Sequence, residues 1–143
     1  MKISCFSFIR DGVRLGYPFE ESIRSALPLC DEFVVAVGDG DDGTWERLRA
    51  LNEPKLRLLP TQWNDQCRSH GFVYAQQKMI AQYNCTGDWA FYLEGDEVLH
   101  ERDLERLRRA MEHYLGDEEV EVLAFDYFHF YGDARHLHVS SQA

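Results

Sequence analysis

No apolar run in the 143-residue sequence approaches the roughly 20 residues that span a membrane. Its opening, MKISCFSFIR, is too short and too polar for a secretory signal peptide. A cytoplasmic protein without a membrane span is therefore the expectation. The four cysteines (Cys5, Cys30, Cys67 and Cys85) contain no C-x-x-C pair, which argues against a zinc knuckle or a disulfide scaffold and for reduced, mostly buried thiols. Positive charge is scarce: 15 Lys and Arg stand against 25 Asp and Glu, for a net charge of -10. A nucleic-acid backbone is not an expected partner for such a chain. Neither a Lys-bearing glycine-rich phosphate loop nor a dinucleotide-binding glycine fingerprint is present. Linkers, repeats and low-complexity stretches are missing too. What is there is ordinary globular material, 45% hydrophobic and 28% charged, enough for one domain over residues 1–143 with a real core.

Strand and helix signals alternate along this material. Lys2–Ile9 reads as a first strand. In the following PFEESIRSALPLC, Phe19, Ile23, Leu27 and Cys30 share one helical face, and Pro28 places the helix end near Leu27. Asp31–Val37 (DEFVVAV) is a β-branched strand, broken by GDGDDGT. Thr44 or Asp42 can cap a short helix carrying Trp45, Leu48 and Leu51. KLRLLP predicts a third strand and Thr61–Gly71 an irregular polar loop. A helix follows over Phe72–Tyr83, with Val73, Gln76 or Gln77, and Ile80 on one face, and then a continuous apolar strand, Trp89–Leu93. Leu104, Leu107, Met111 and Leu115 mark the clearest helix. Val120–Tyr131 predicts a long aromatic last strand or the start of a hairpin. Alternation of this kind, with two strands apolar throughout, indicates a mostly parallel sheet covered on both faces, a three-layer α/β/α sandwich.

Ligands of open α/β sheets bind at the carboxyl ends of the strands. Two loops rich in Gly and Asp fall there. Glu94, Asp96 and Glu97, in EGDE, offer hard oxygen ligands suited to Mg²⁺ or Mn²⁺, with Gly95 leaving room for a ligand to approach. The same residues also suit a plain turn into a solvated segment. In Gly38–Gly43, Asp39, Asp41 and Asp42 can accept hydrogen bonds from a base or ribose, or can serve only the turn and the next helix.

The order of these pieces resembles family 2 glycosyltransferases with the GT-A nucleotide-sugar fold. The likeness runs over about residues 3–110, through FIRDGVRLGYPFEESIRSALPLCDEFVVAV, GDGDDGTWE, the helix with AQQKMIAQY, and GDWAFYLEGDEVLHERDLERL. The resemblance implies that Glu94 and Asp96 stand at the metal-binding pair, with Glu97 adjacent. It implies that Asp39 lies near the acidic position facing base or ribose, with Asp41 in the same loop, and that Arg10 and Asp11 face the nucleotide. The implied partners are a nucleoside diphosphate sugar and an unknown hydroxyl acceptor, with Mn²⁺ or Mg²⁺ as cofactor. Two residues depart from the family pattern: Glu94 replaces an Asp, and Val37 stands where an Asp often closes the second strand. Such enzymes usually run well past this length, with acceptor site and catalytic base in the later half, so a truncated or degenerate homologue that binds nucleotide or a partner without transferring a sugar is the alternative. A nucleotidyltransferase on a similar sheet is a third reading.

Other groups carry weaker chemistry. His129, His136 and His138 can be surface residues or metal ligands, and Cys67 with His70 can form a thiol–imidazole pair or merely share a polar loop. Arg102, Arg106, Arg108 and Arg109 form a basic stripe that neighbouring Glu residues largely cancel. The aromatic FDYFHFYGD suits core packing, ligand stacking or a homo-oligomer interface.

Overall fold

The computed structural model describes residues 1–67, 69–131 and 133–137. Four parallel strands carry the fold: β1 (Ile3–Ile9), β2 (Glu32–Gly38), β3 (Leu56–Thr61) and β4 (Trp89–Tyr92), in the order β3-β2-β1-β4. Between β1 and β2 lie α1 (Gly12–Leu15) and α2 (Phe19–Ala26); α3 (Thr44–Ala50) joins β2 to β3. The crossover from β3 to β4 passes from one edge of the sheet to the other through two 3₁₀ turns (Asp65–Cys67 and Ser69–Gly71) and α4 (Phe72–Tyr83). Then come α5 (Leu104–Tyr114) and a separate antiparallel pair, β5 (Phe130–Tyr131) and β6 (Asp133–Leu137).

The central strands are buried on both faces, which is why β2 reads EFVVAV without alternation. On one face Ile3, Cys5 and Ile9 of β1 and Phe33, Val35 and Val37 of β2 pack with Phe19 and Ile23 of α2, Leu48 of α3, and Leu107 and Met111 of α5. On the other, Phe6, Val34 and Ala36 meet Ala81 of α4. Each large side chain so buried stabilises the fold by about 1.5–3 kcal/mol. Helices thus flank a parallel sheet, as the sequence pattern predicts. The end of α2 at Ala26 and the span of α4 match the expected bounds. All four cysteines are free, Cys5 and Cys30 fully buried.

The amino ends of the strands are tied by a buried carboxylate. Glu32 accepts hydrogen bonds from Ser4 Oγ (2.6 Å), the Thr86 N–H (2.7 Å), Thr86 Oγ1 (2.6 Å) and Arg57 Nη1 (2.8 Å). Burial pushes this carboxyl up, but the donors from Ser4, Thr86 and Arg57 outweigh it and hold it at about 2. The cluster links β1, β2 and β3 to the turn before β4. In that turn Gly87 lies against β1: a Cβ there would stand 2.7 Å from the Ser4 nitrogen and 2.8 Å from the Lys2 oxygen.

The last segment corrects the expectation of a long strand over Val120–Tyr131. Residues 120–129 have no regular structure, and among the described residues of this segment Phe130–Tyr131 and Asp133–Leu137 pair as a short hairpin. Aromatic composition alone does not make a strand: a ladder partner is needed, and β4 leaves this segment unpaired. Phe125 packs on Phe91 with ring centroids 5.9 Å apart, whereas Tyr127, Phe128 and Phe130 are exposed. Among the described residues no helix is long and apolar enough to cross a membrane.

Candidate functional site

The strand order places a switch point between β1 and β4. From β1 the chain proceeds outward to β2 and β3, then returns across the sheet to β4, so the loops after β1 and β4 diverge and leave a crevice. A cleft of about 550 Å³ occupies that position, within the range of small-ligand sites. Its floor is Ile9, Arg10 and Asp11 from the end of β1 and Glu94, Gly95 and Asp96 from beyond β4; its walls include Phe8, Tyr17, Trp63, Tyr74 and Tyr92.

At the β1 end the backbone turns sharply into α1 through Asp11, whose φ of 55° is left-handed. Asp tolerates that region better than most residues, and such strained positions concentrate at binding sites. Arg14 reaches back from α1 to Asp11 Oδ1 (2.6 Å) and also pairs with Asp41. Arg10 lies among carboxylates: Asp65 at 2.9 Å, Asp11 at 3.8 Å and Asp39 at 3.9 Å. Its guanidinium sits over the Trp63 ring, 5.4 Å from the centroid. Trp63 in turn contacts Phe8 and stands edge-on to Tyr74. The indole fits because residue 38 is glycine, where a Cβ would collide with the ring and come within 2.9 Å of Arg10 Cβ.

At the β4 end, Ser22 Oγ donates to the Glu94 carbonyl (2.9 Å) and fixes the loop to α2. Tyr92 OH donates to Glu94 Oε1 (3.2 Å). Burial, reinforced by the charges of Glu94, Glu97 and Asp96, pushes the Tyr92 phenol above its usual range and keeps it a neutral donor. Lys78 Nζ lies over the same ring at 3.6 Å from the centroid. Glu97 is turned away from the cleft lining to accept the Glu94 N–H (2.9 Å). Asp96 makes no hydrogen bond or ion pair with the described residues. Glu94 and Asp96 both line the cleft, and two carboxylates are the residue type that could hold Mg²⁺ or Mn²⁺ together with ligand phosphates. Among the described residues no three His, Cys, Asp or Glu side chains converge on one such point.

The acidic loop after β2 divides its labour. Asp42 is structural: it accepts from the Arg14 N–H (2.9 Å), the Thr44 N–H (3.1 Å) and Thr44 Oγ1 (2.8 Å), at the start of α3. Burial alone would raise its carboxyl, but these donors hold it at about 2. Asp39 accepts the Trp63 N–H (3.2 Å) at the cleft's margin, and Asp41 points to solvent, paired with Arg14. Of the residues singled out from sequence, Arg10, Asp11, Glu94 and Asp96 come together; Asp39 is adjacent, and Asp41 and Glu97 lie outside the lining.

The aromatic walls were not legible as a site. Tyr92 sits within an apolar strand, and Trp63 within a polar loop whose only signal is one large indole among Asn, Asp and Gln. Elsewhere, His129 stacks edge-on with Tyr127 and His136 Nδ1 meets Asp133 Oδ1 at 2.7 Å, while His138 lies outside the described residues. Cys67 and His70 occupy successive 3₁₀ turns with no hydrogen bond between them. In the Arg stripe, Arg109 pairs with Glu105 and Arg108 donates to the Leu29 carbonyl at 2.7 Å, which are structural uses.

No family model matches the chain, and no curated protein matches it in sequence. Solved structures do match in fold. The crystal structure of S. aureus TarS 1–349 superposes with a TM-score of 0.55 at 18% identity, covering 80% of this chain and 33% of that one. S. aureus TarS 1–349 in complex with UDP gives 0.54 and 18% with the same coverage, and S. aureus TarS gives 0.54 and 17%, covering 80% of this chain and 20% of that one. The chain thus spans a third or less of the length of these structures.

Proposed function

We propose that this chain is a nucleotide-binding domain that holds a nucleoside diphosphate, free or as its sugar conjugate, in the cleft between β1 and β4. The observation that carries the reading is the cleft itself: a switch-point crevice with aromatic walls, lined by one arginine and by the three acidic residues Asp11, Glu94 and Asp96. The fold match to a TarS structure in complex with UDP supports the same ligand class. Aromatic walls suit a base, Arg10 suits phosphate, and a divalent cation at Glu94 and Asp96 would neutralise diphosphate charge. The test is thermal denaturation with UDP, GDP and uridine, with and without Mn²⁺. A diphosphate-dependent rise in melting temperature is expected, and an unchanged transition with every ligand overturns the reading.

A second reading, metal-dependent sugar transfer by a family 2 glycosyltransferase, is favoured by Glu94 and Asp96 both lining the cleft. In that reaction the acceptor hydroxyl would give its proton to a base as its oxygen bonds to the anomeric carbon and the bond from that carbon to the diphosphate breaks; a cation held by Glu94 and Asp96 would offset the charge left on the departing nucleoside diphosphate. Release of UDP from UDP-sugars in the presence of hydroxyl acceptors separates the two readings.

A further inference from the structure

We propose that Gln62–Cys67 is a strap displaced by anions: Asp65 occupies Arg10 as an internal counter-ion until a ligand phosphate takes its place. The inference rests on the cleft's being a nucleoside diphosphate site. Among the described lining residues Arg10 is the one cation, in a lining that also holds Asp11, Glu94 and Asp96. Its closest ionic contact is not with these but with Asp65, at 2.9 Å, from a segment that crosses over the carboxyl ends of β1 and β2.

The two partners differ in exposure. The Arg10 side chain is 20% exposed and Asp65 is 50% exposed, so Asp65 is the more solvent-accessible partner of the pair. An ion pair this exposed is weak, worth at most about 1 kcal/mol. A phosphate group carries more charge than a carboxylate and matches the guanidinium fork equally well, so it competes effectively. Arg10 also keeps donor capacity in reserve, because its buried Nε finds no hydrogen-bond acceptor among the described residues.

Trp63 makes the strap's state readable. Its ring lies under Arg10 and against Phe8 and Tyr74, and its buried indole N–H has no acceptor among the described residues. The contacts that hold the strap include the packing of Trp63, the Trp63 N–H donated to Asp39, the Gln77 side chain on the Gln62 carbonyl and the Arg10–Asp65 pair. Removing that pair, by ligand or by substitution, alters the surroundings of the Trp63 ring. The device also selects: a nucleoside without phosphate has nothing to exchange for Asp65.

The experiment uses protein labelled with 5-fluorotryptophan, whose ¹⁹F spectrum separates Trp45, Trp63 and Trp89; a Trp63→Phe spectrum identifies the signal. Pyrophosphate, UDP and uridine are titrated with Mg²⁺ into wild type and Asp65→Asn. The expected result is that pyrophosphate and UDP shift the Trp63 signal and uridine does not. Asp65→Asn without ligand moves it in the same direction and binds both anions tighter by up to about fivefold. Anion binding with an unmoved Trp63 signal overturns the strap and leaves the binding site standing. Tighter binding by Asp65→Asn with an unchanged ligand-free signal does the same, reducing Asp65 to a simple charge effect. Absence of binding in both proteins overturns the site and the strap together.

Discussion

Replacing Glu32 by Gln tests whether one buried carboxylate holds the amino ends of the strands in register. Its side chain is 10% exposed and accepts four hydrogen bonds from Ser4, Thr86 and Arg57. Its carboxyl titrates at about 2 in the fold against an ordinary 4.5. At 1.36 kcal/mol per unit this difference is worth about 3 kcal/mol of stability to the ionised form. Because the folded value is depressed, the contribution is complete above the unfolded value of 4.5 and is lost as pH falls towards 2. Urea unfolding followed by tryptophan fluorescence should find Glu32→Gln less stable than wild type by about 3 kcal/mol at neutral pH. The gap should shrink by more than half by about pH 3. Asp42 and other carboxylates also respond to acid, but they do so in both proteins and cancel in the comparison. A gap below about 1 kcal/mol at neutral pH, the worth of an ordinary surface pair, would mean that the Glu32 cluster does not hold the strands. So would a gap that does not change with pH.

Asp42→Ala removes the acceptor for the Arg14 N–H of α1 and the Thr44 N–H at the start of α3 and should cost about 1 kcal/mol, read from thermal denaturation. Its depressed carboxyl adds to acid sensitivity, so the cost should fall as pH drops from 3.8 towards 2. Gly87→Ala forces a Cβ against the backbone of Lys2 and Ser4, where nothing flexible can yield, and should cost about 1–3 kcal/mol by chemical denaturation.

The layers of the fold were legible because burial writes itself into the sequence. A strand covered on both faces, such as β2, has no choice but to be apolar throughout, and α5 shows its buried stripe in Leu107 and Met111. The register of β3 and the loss of a strand over residues 120–129 were not legible, since both depend on which partner is available. At the site, Glu94 and Asp96 stood out as charges ending an apolar run. The aromatic walls did not, because Phe8 and Tyr92 lie on strands and pack against the core like any apolar strand residue, and Tyr74 is one more aromatic on a helix. Asp65 was invisible for the opposite reason: an Asp in a polar loop is commonplace, and only the fold brings it 55 positions back to Arg10. Glu97 shows the limit of counting carboxylates, since its side chain is used to close its own turn.

Binding of a nucleoside diphosphate in the β1/β4 cleft through Glu94 and Asp96 is measured by calorimetric titration of UDP with and without Mn²⁺, on wild type and Asp96→Ala. Saturable binding is expected that requires the metal and weakens at least about tenfold, or 1.4 kcal/mol, in Asp96→Ala while the fold is unchanged. Binding that is indifferent to both metal and Asp96, or no binding by the folded wild-type protein, would contradict it.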